Sequence, residues 1–304
     1  MEGLVIFSKG YAFCCEENGG LMNVLSSTES TFGWDDIDFY KSDAKSYWIK
    51  MGSRPGPGSN LSSWVHNVLP NIKQDFILVT TDGDASVPDE IPDDVLGAII
   101  GNRYLRRWYT QNFNELANFV DDRIIGIPIG LDAHTPSDLG TWSDYGNALK
   151  DLSENHPAPV KSKKIFIDFG TNISHPFRAE IIRKLKWKSQ YKILRKRVKK
   201  KKLINEYLQN GSVLSVRGNG HDCHRTWEAL AVSVPVIVYT PEINNLLRQY
   251  GIYSVTDRSE LYSKNLLNDA MQHYSANPPS VPSFKDVFLS EDLKFFKWDN
   301  YYEI

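Results

Sequence analysis

The chain predicts an α/β protein built from two Rossmann-like, doubly wound domains, and three observations point there. Apolar, β-branched runs such as FILVTT (76–81), IFIDF (165–169) and VIVY (236–239) have the pattern of strands buried in a parallel sheet. Such runs alternate with helical segments, the signature of a sheet wrapped by helices. The succession strand, glycine loop, helix appears at 163–185 and again at 213–232. The length, 304 residues, suffices for two domains. DLSENHPAPVKSK (151–163), polar and with two prolines, reads as the linker. The expected division is residues 1–155, residues 156–282, and a tail, 283–304, that crosses back to the first domain.

In the first half, LVIF (4–7) reads as a short strand or core segment, and the acid- and aromatic-rich stretch 34–47 as irregular or helical. SRPGPGSN (53–60) is a loop by composition, and WVHNVLPNI (64–72) a helix broken at Pro70. FILVTT is a strand that delivers DGDASVPDEIPDD (82–94) as a loop at its carboxyl end. VLGAII (95–100) is a further apolar segment, RRWYTQNFNEL (106–116) reads as helical, and RIIGIPIGLD (123–132) as a strand and turn.

In the second half, KKIFIDF (163–169) is a strand followed by Gly170, Thr171 and Asn172, at the edge where open α/β sheets bind ligands. HPFRAEIIRKL (175–185) opens a helix with Pro176 in its first turn. YKILRKRVKKKK (191–202) packs six Lys and two Arg into its length. It reads as a solvated face, with an electropositive funnel for an anionic ligand as the functional alternative. VLSV (213–216), the loop RGNGHDC (217–223), a helix over 224–232 with Asp222 as N-cap, and the strand VIVY make the most informative unit. Trp227 belongs to the core on this reading. PEINNLLRQYGIYSVTD (241–257) is a helix ending at Gly251 and then a short strand, and SKNLLNDAMQHYSAN (263–277) is amphipathic.

Composition excludes several classes. Hydrophobic residues at 41% and charged residues at 24% fit a globular protein, and a net charge of −2 demands neither nucleic acid nor an anionic membrane. No segment approaches the roughly 18 apolar residues of a membrane span, and MEGLVIFSKGYAF lacks the pattern of a signal peptide. The three cysteines, Cys14, Cys15 and Cys223, form no disulfide or zinc pattern and are expected to be reduced, which favours a cytoplasmic location. Aromatic residues at 12% suit sugar binding as well as core packing. No G-x-G-x-x-G follows a strand, which disfavours a dinucleotide-dependent oxidoreductase.

The unit at 213–239 points a helix N-terminus at its glycine loop, a place suited to phosphate. Gly218 and Gly220 allow close backbone approach, Arg217 and Arg225 add positive charge, and Asn219, His221, Asp222 and His224 add polar contacts. Glu228 stands three residues after Arg225, on nearly the same helix face, as an acceptor for ribose hydroxyls. Phosphate donors beside a ribose-binding acid imply a nucleotide-linked ligand.

With its Arg225, its Glu228 and the following VPVIVY, the segment resembles the donor-binding region of exostosin-like glycosyltransferases of the two-domain GT-B architecture. The resemblance covers the C-terminal half and reaches the N-terminal half only in scattered pieces. It implies two domains facing a cleft and an inverting, metal-independent transfer to a glycan acceptor from a nucleotide sugar. That donor would be a UDP-sugar, a pentose such as UDP-xylose if the chain follows relatives in large algal viruses. Nucleic acid is not an expected partner. The donor contacts expected from these readings together are Gly170, Thr171, Asn172, Arg178, Arg217 through Asp222, His224, Arg225 and Glu228, of which the resemblance itself carries Arg225 and Glu228. It aligns Asp82 with an acid that follows the matching strand of the family. Cellular members carry a membrane anchor, which this sequence does not show.

The triplet Asp82-Gly83-Asp84 leaves three readings open: a general base for the acceptor hydroxyl, a pair of metal ligands, or a turn. Asp132 and His134 are the other base candidates. Competing functions are a non-catalytic nucleotide- or glycan-binding protein, and a nucleic-acid binder that uses 191–202.

Overall fold

The structure is a computed structural model that describes residues 6–19, 40–52, 56, 59–118, 121–155, 162–169, 174–278 and 281–298. Its contacts divide into two compact units, Met1–Ile129 with Pro282–Ile304, and Gly130–Val281. Each carries a parallel sheet, so the chain is α/β.

The first unit opens with helix α1 (Tyr11–Cys14) and strand β1 (Ser46–Gly52). Helix α2 (Asn60–Asn67), strand β2 (Phe76–Gly83), helix α3 (Asp93–Ile100), strand β3 (Leu105–Thr110) and strand β4 (Ile124–Gly126) follow. The sheet order β1-β2-β3-β4 is sequential. Tyr47, Leu78 and Trp108 stand in register and share one core with Leu61 and Trp64 of α2 and Val95 and Ile99 of α3. Both connecting helices therefore lie on one face, so this sheet is not doubly wound among the described residues. On the other face, Tyr109 of β3 meets Phe288 edge-on at 4.9 Å, and Tyr11 of α1 meets Phe284 at 4.9 Å. Residues of the tail, including helix α10 (Phe284–Val287), thus complete this unit.

Two readings of the first half change. Residues 106–110 are a strand, not a helix, and 46–47 begin a strand inside the stretch read as irregular or helical. In β3 the two arginines are accommodated by acids of the tail: Asp292 accepts from Arg106 Nε at 2.8 Å, and Glu291 from Arg107 at 3.4 Å. Of LVIF, read as a strand or core segment, Leu4 and Val5 lie outside the described residues and Ile6 and Phe7 are buried; most of the loop 53–60 also lies outside them.

The second unit contains helix α4 (Trp142–Glu154), strand β5 (Ser162–Ile167), helix α5 (Pro176–Leu185) and strand β6 (Tyr191–Ile193). It continues with helix α6 (Lys200–Leu208), strand β7 (Asn210–Val216), helix α7 (His224–Ala231) and strand β8 (Val236–Tyr239). Helix α8 (Asn244–Gln249), strand β9 (Tyr253–Ser254) and helix α9 (Leu266–Ala276) end it. The order β6-β5-β7-β8-β9 reads 2-1-3-4-5 within the unit. Ile165, Ile167, Leu214 and Ile237 pack with Ile181 and Leu185 of α5 and Ala270 of α9. From the opposite face Phe166 meets Tyr207 of α6 at 5.9 Å, and Ser215 accepts from Thr226 of α7 at 2.8 Å. This sheet is doubly wound. β7 is buried at every position, as a central parallel strand must be.

The unit boundary falls after Ile129, earlier than the expected 155. The reason is α4, whose Tyr145 hydroxyl donates to Glu228 of α7 at 2.6 Å and so belongs to the second unit. Residues 151–154 are the end of α4 rather than linker. Asp222 is not the N-cap of α7; Cys223 holds that position without a side-chain cap. Asp222 instead accepts from the Cys223 N–H at 2.7 Å and from Trp227 Nε1 at 2.9 Å, so it fastens the first turn from outside. The basic run divides among β6, a bend and the start of α6. Cys14, Cys15 and Cys223 are free thiols. Among the described residues no helix is long and apolar enough to cross a membrane.

Candidate anion-binding site

In a 2-1-3-4-5 sheet the chain leaves β5 for β6 on one side and returns to β7 on the other. The crevice beyond the carboxyl ends of β5 and β7 is the topological switch point, where such sheets bind ligands. A cavity of about 440 Å³ occurs here, lined by Asp168 and Phe169 after β5, Arg178 of α5, Leu194, residues 197–200, Leu203 and Arg225 of α7. Asp132 and residues 135–138 close it. Its wall carries the cations Arg178, Arg197, Lys199, Lys200 and Arg225 against the carboxylates Asp132, Asp138 and Asp168.

Two of these cations are held by acids. Arg225 Nε donates to Asp168 Oδ1 at 2.5 Å. Burial opposes the Arg225 charge, but the Asp168 carboxylate outweighs it and holds the guanidinium above its ordinary value. Lys200 Nζ lies 2.8 Å from Glu228 Oε1 and 3.5 Å from Asp132 Oδ2. Burial pulls the Lys200 ammonium down, and the charges of Glu228 and Asp132 more than reverse this, leaving it at about 12. Tyr207 donates to Asp168 Oδ2 at 2.6 Å.

Arg178 differs. Its Nε donates to the Arg217 carbonyl at 2.9 Å and its Nη1 to Ser174 Oγ at 2.9 Å, while Nη2 reaches Cys223 Sγ at 3.4 Å. Burial, then the nearby charge of Arg225, hold its guanidinium below the ordinary value. Both guanidinium groups lie over the Phe169 ring, at 5.5 Å and 5.4 Å. An anion in the cavity would relieve this crowding of positive charge. Among the described residues, Arg197 and Lys199 make no ion pair, and both are exposed.

The remaining residues expected at a donor site fall into three groups. Gly170, Thr171 and Asn172 lie outside the described residues. Arg217, Gly218, Asn219, Gly220, His221 and Asp222 form a loop that does not line the cavity. There Arg217 pairs with Glu242 at 3.2 Å, His221 stands 3.9 Å from the same carboxylate, and the Gly218 N–H donates to the Gly220 carbonyl at 3.1 Å. Gly218 acts by its lack of a side chain: a Cβ there would stand 2.9 Å from Arg178 Nη2. Glu228 is buried, accepts from Tyr145 and Lys200, and does not line the cavity; the surface that a ribose would use is already occupied. His224 Nδ1 donates to the Gly130 carbonyl at 2.8 Å. Asp132, His134 and His224 together bring one ligand atom each within 4.8 Å of one another.

In the first unit, Asp82, the last residue but one of β2, has φ of 56°, a left-handed conformation that non-glycine residues seldom adopt. Asn112, after β3, shares it at φ of 53°. Asp82 Oδ2 lies 3.7 Å from Lys9 Nζ and 3.6 Å from Lys50 Nζ, and its N–H donates to Ser8 Oγ at 2.9 Å. Gly83 is required by packing, since a Cβ there would stand 2.1 Å from the Gly52 carbonyl oxygen. Asp84 is half-buried, and its N–H donates to that same oxygen at 3.3 Å. Asp82 and Gly83 are the last two residues of β2, and Asp84 follows the strand.

Sequence reasoning missed Asp168, Tyr145 and Tyr207, and it read Lys200 as solvated. A signal existed for Asp168, the acid closing the strand IFID; none existed for Tyr145, which lies 83 residues from its partner. Comparison of the sequence with models of protein families and with curated proteins finds no match.

Proposed function

We propose that the chain is a glycosyltransferase of the GT-B kind that takes a nucleotide-sugar donor in the cavity of its second unit. One observation carries this reading: the cavity of about 440 Å³ at the switch point between β5 and β7, with five cations against three carboxylates on its wall. The donor diphosphate lies against Arg178, Arg197 and Lys199, which stabilise the charge that develops as the bond from the anomeric carbon to phosphate breaks. Lys200 and Arg225 keep their acid partners and frame the site. Side-chain cations meet the diphosphate, without a metal ion. The acceptor hydroxyl attacks the anomeric carbon from the opposite face and loses its proton to a carboxylate, which inverts that centre. Asp82 is the proposed base, by the resemblance that aligns it with the family's acid, and its left-handed backbone fits a functional position. The uridine base, a pentose such as xylose and a glycan acceptor rest on the resemblance to exostosin-like enzymes, and action in the cytoplasm on the reading of Cys14, Cys15 and Cys223 as reduced thiols.

The test is a thermal-shift screen against UDP, GDP, CDP, ADP and NAD, each with and without manganese. A ligand at 100 times its Kd stabilises by about 2.7 kcal/mol, a readily measured shift. UDP is expected to raise the Tm without manganese, and Asp82→Asn to abolish sugar transfer while keeping that shift. No shift with any nucleotide overturns the reading. A shift with UDP but no turnover of any UDP-sugar would mean a binding protein. Salt-sensitive binding of any polyanion, without preference for UDP, would mean a nucleic-acid binder.

A further inference from the structure

We propose that Asp132, His134 and His224 form a binding site for one divalent first-row transition ion, zinc(II) being the probe ion. The proposal is independent of the glycosyltransferase reading, and its ligands are not the cations assigned there to the diphosphate.

The donor set is two imidazoles and one carboxylate, each offering one atom within 4.8 Å of the others. Ligands about 2.0–2.1 Å from a tetrahedral ion stand about 3.4 Å apart, so closure from within 4.8 Å asks for a contraction of up to about 1.4 Å. Asp132 and His134 stand two residues apart on one loop, and His224 opens α7, so the ion would tie that loop to the helix.

Asp132 and His224 are held by outer partners of the kind that metal sites use. The Gly130 carbonyl accepts from His224 Nδ1 at 2.8 Å, which fixes the tautomer and leaves the lone pair on Nε2. Lys200 Nζ stands 3.5 Å from Asp132 Oδ2 and turns the other oxygen toward His134 Nε2, 3.9 Å away. That oxygen, Asp132 Oδ1, is buried and accepts no hydrogen bond among the described residues. A buried carboxylate oxygen without a donor is costly unless something occupies it. Charge agrees: Lys200 is outweighed by Asp132 and Glu228 beside it, so the locality is net negative before an ion arrives. Three protein ligands leave a fourth position for water, and Asp132 also lines the cavity. Asp132 and His134 are then ligands rather than bases.

The experiment is a titration of chelator-treated, intact chain with zinc(II) against a chromophoric competitor, and with cobalt(II) followed by visible absorption. One equivalent is expected to bind, with the intense visible bands of a low-symmetry four- or five-coordinate cobalt site. His134→Gln and His224→Ala are each expected to weaken zinc at least 100-fold, whereas His66→Ala, whose imidazole lies on the surface near Asp94, leaves it unchanged. Circular dichroism checks that the variants fold. The wild-type titration decides even where a variant does not fold: no stoichiometric site tighter than about 10 μM overturns the proposal. Binding undiminished in a folded His134→Gln/His224→Ala double variant overturns it as well.

Discussion

Lys200 shows how much of this site depends on single residues. It belongs to a basic run that reads as a solvated face, and Arg195, Lys196 and Arg197 of that run are exposed. Lys200 is instead held between Glu228, 28 residues away, and Asp132, 68 residues away. No local pattern announces such a partnership, which is why burial of this lysine was not legible. Replacing Lys200 with Met leaves the Glu228 carboxylate buried with only Tyr145 to satisfy it. The expected cost is about 3 kcal/mol, measured by urea unfolding at neutral pH. The pH dependence follows from the same contacts. Lys200 stands at about 12, above the ordinary 10.5, so its stabilisation is complete below about 10.5. It is lost as pH rises toward 12, and Lys200→Met should flatten that part of the stability profile. Arg178 and Arg225, by contrast, were legible as cations near the site, although their division into one acid-paired and one crowded guanidinium was not.

At the scale of elements, strands with continuous apolar runs were read from sequence, as in β2, β7 and β8. The strand β3 was not, because Arg106 and Arg107 imitate a polar helix face, and the acids that accommodate them lie more than 180 residues along the chain. Helix α5 opened where Pro176 indicated, and its cap is His175, whose Nδ1 accepts from the Phe177 N–H at 3.2 Å. Acceptance requires a neutral imidazole. Burial, then the charges of Arg217 and Arg178, hold His175 below the ordinary 6.5. The unfolded chain therefore binds this proton first, and stability is present above pH 6.5 and lost as pH falls below it. His175→Asn, which keeps a capping oxygen, should remove that slope while retaining the helix. Equal slopes in thermal melts of both proteins from pH 7.5 to 5.5 would count against the cap.

At the scale of the whole molecule, the α/β class and two parallel sheets were legible, since buried parallel strands have a composition of their own. The boundary was not, because the prolines and polar residues near 156 connect α4 to β5 inside the second unit. The tail completes the first unit through Asp292, fully buried, which accepts from Arg106 Nε and the Tyr109 hydroxyl, each at 2.8 Å. Asp292→Ala strands both donors and should cost about 2–3 kcal/mol, seen as a lowered Tm. The central claim concerns the second unit, and its most direct test is a calorimetric titration of UDP into the intact chain and into Arg178→Met. The account predicts one UDP per chain without added metal, and at least a tenfold loss of affinity in the variant. Absence of binding to the wild type, or equal affinity in a folded Arg178→Met protein, would contradict it.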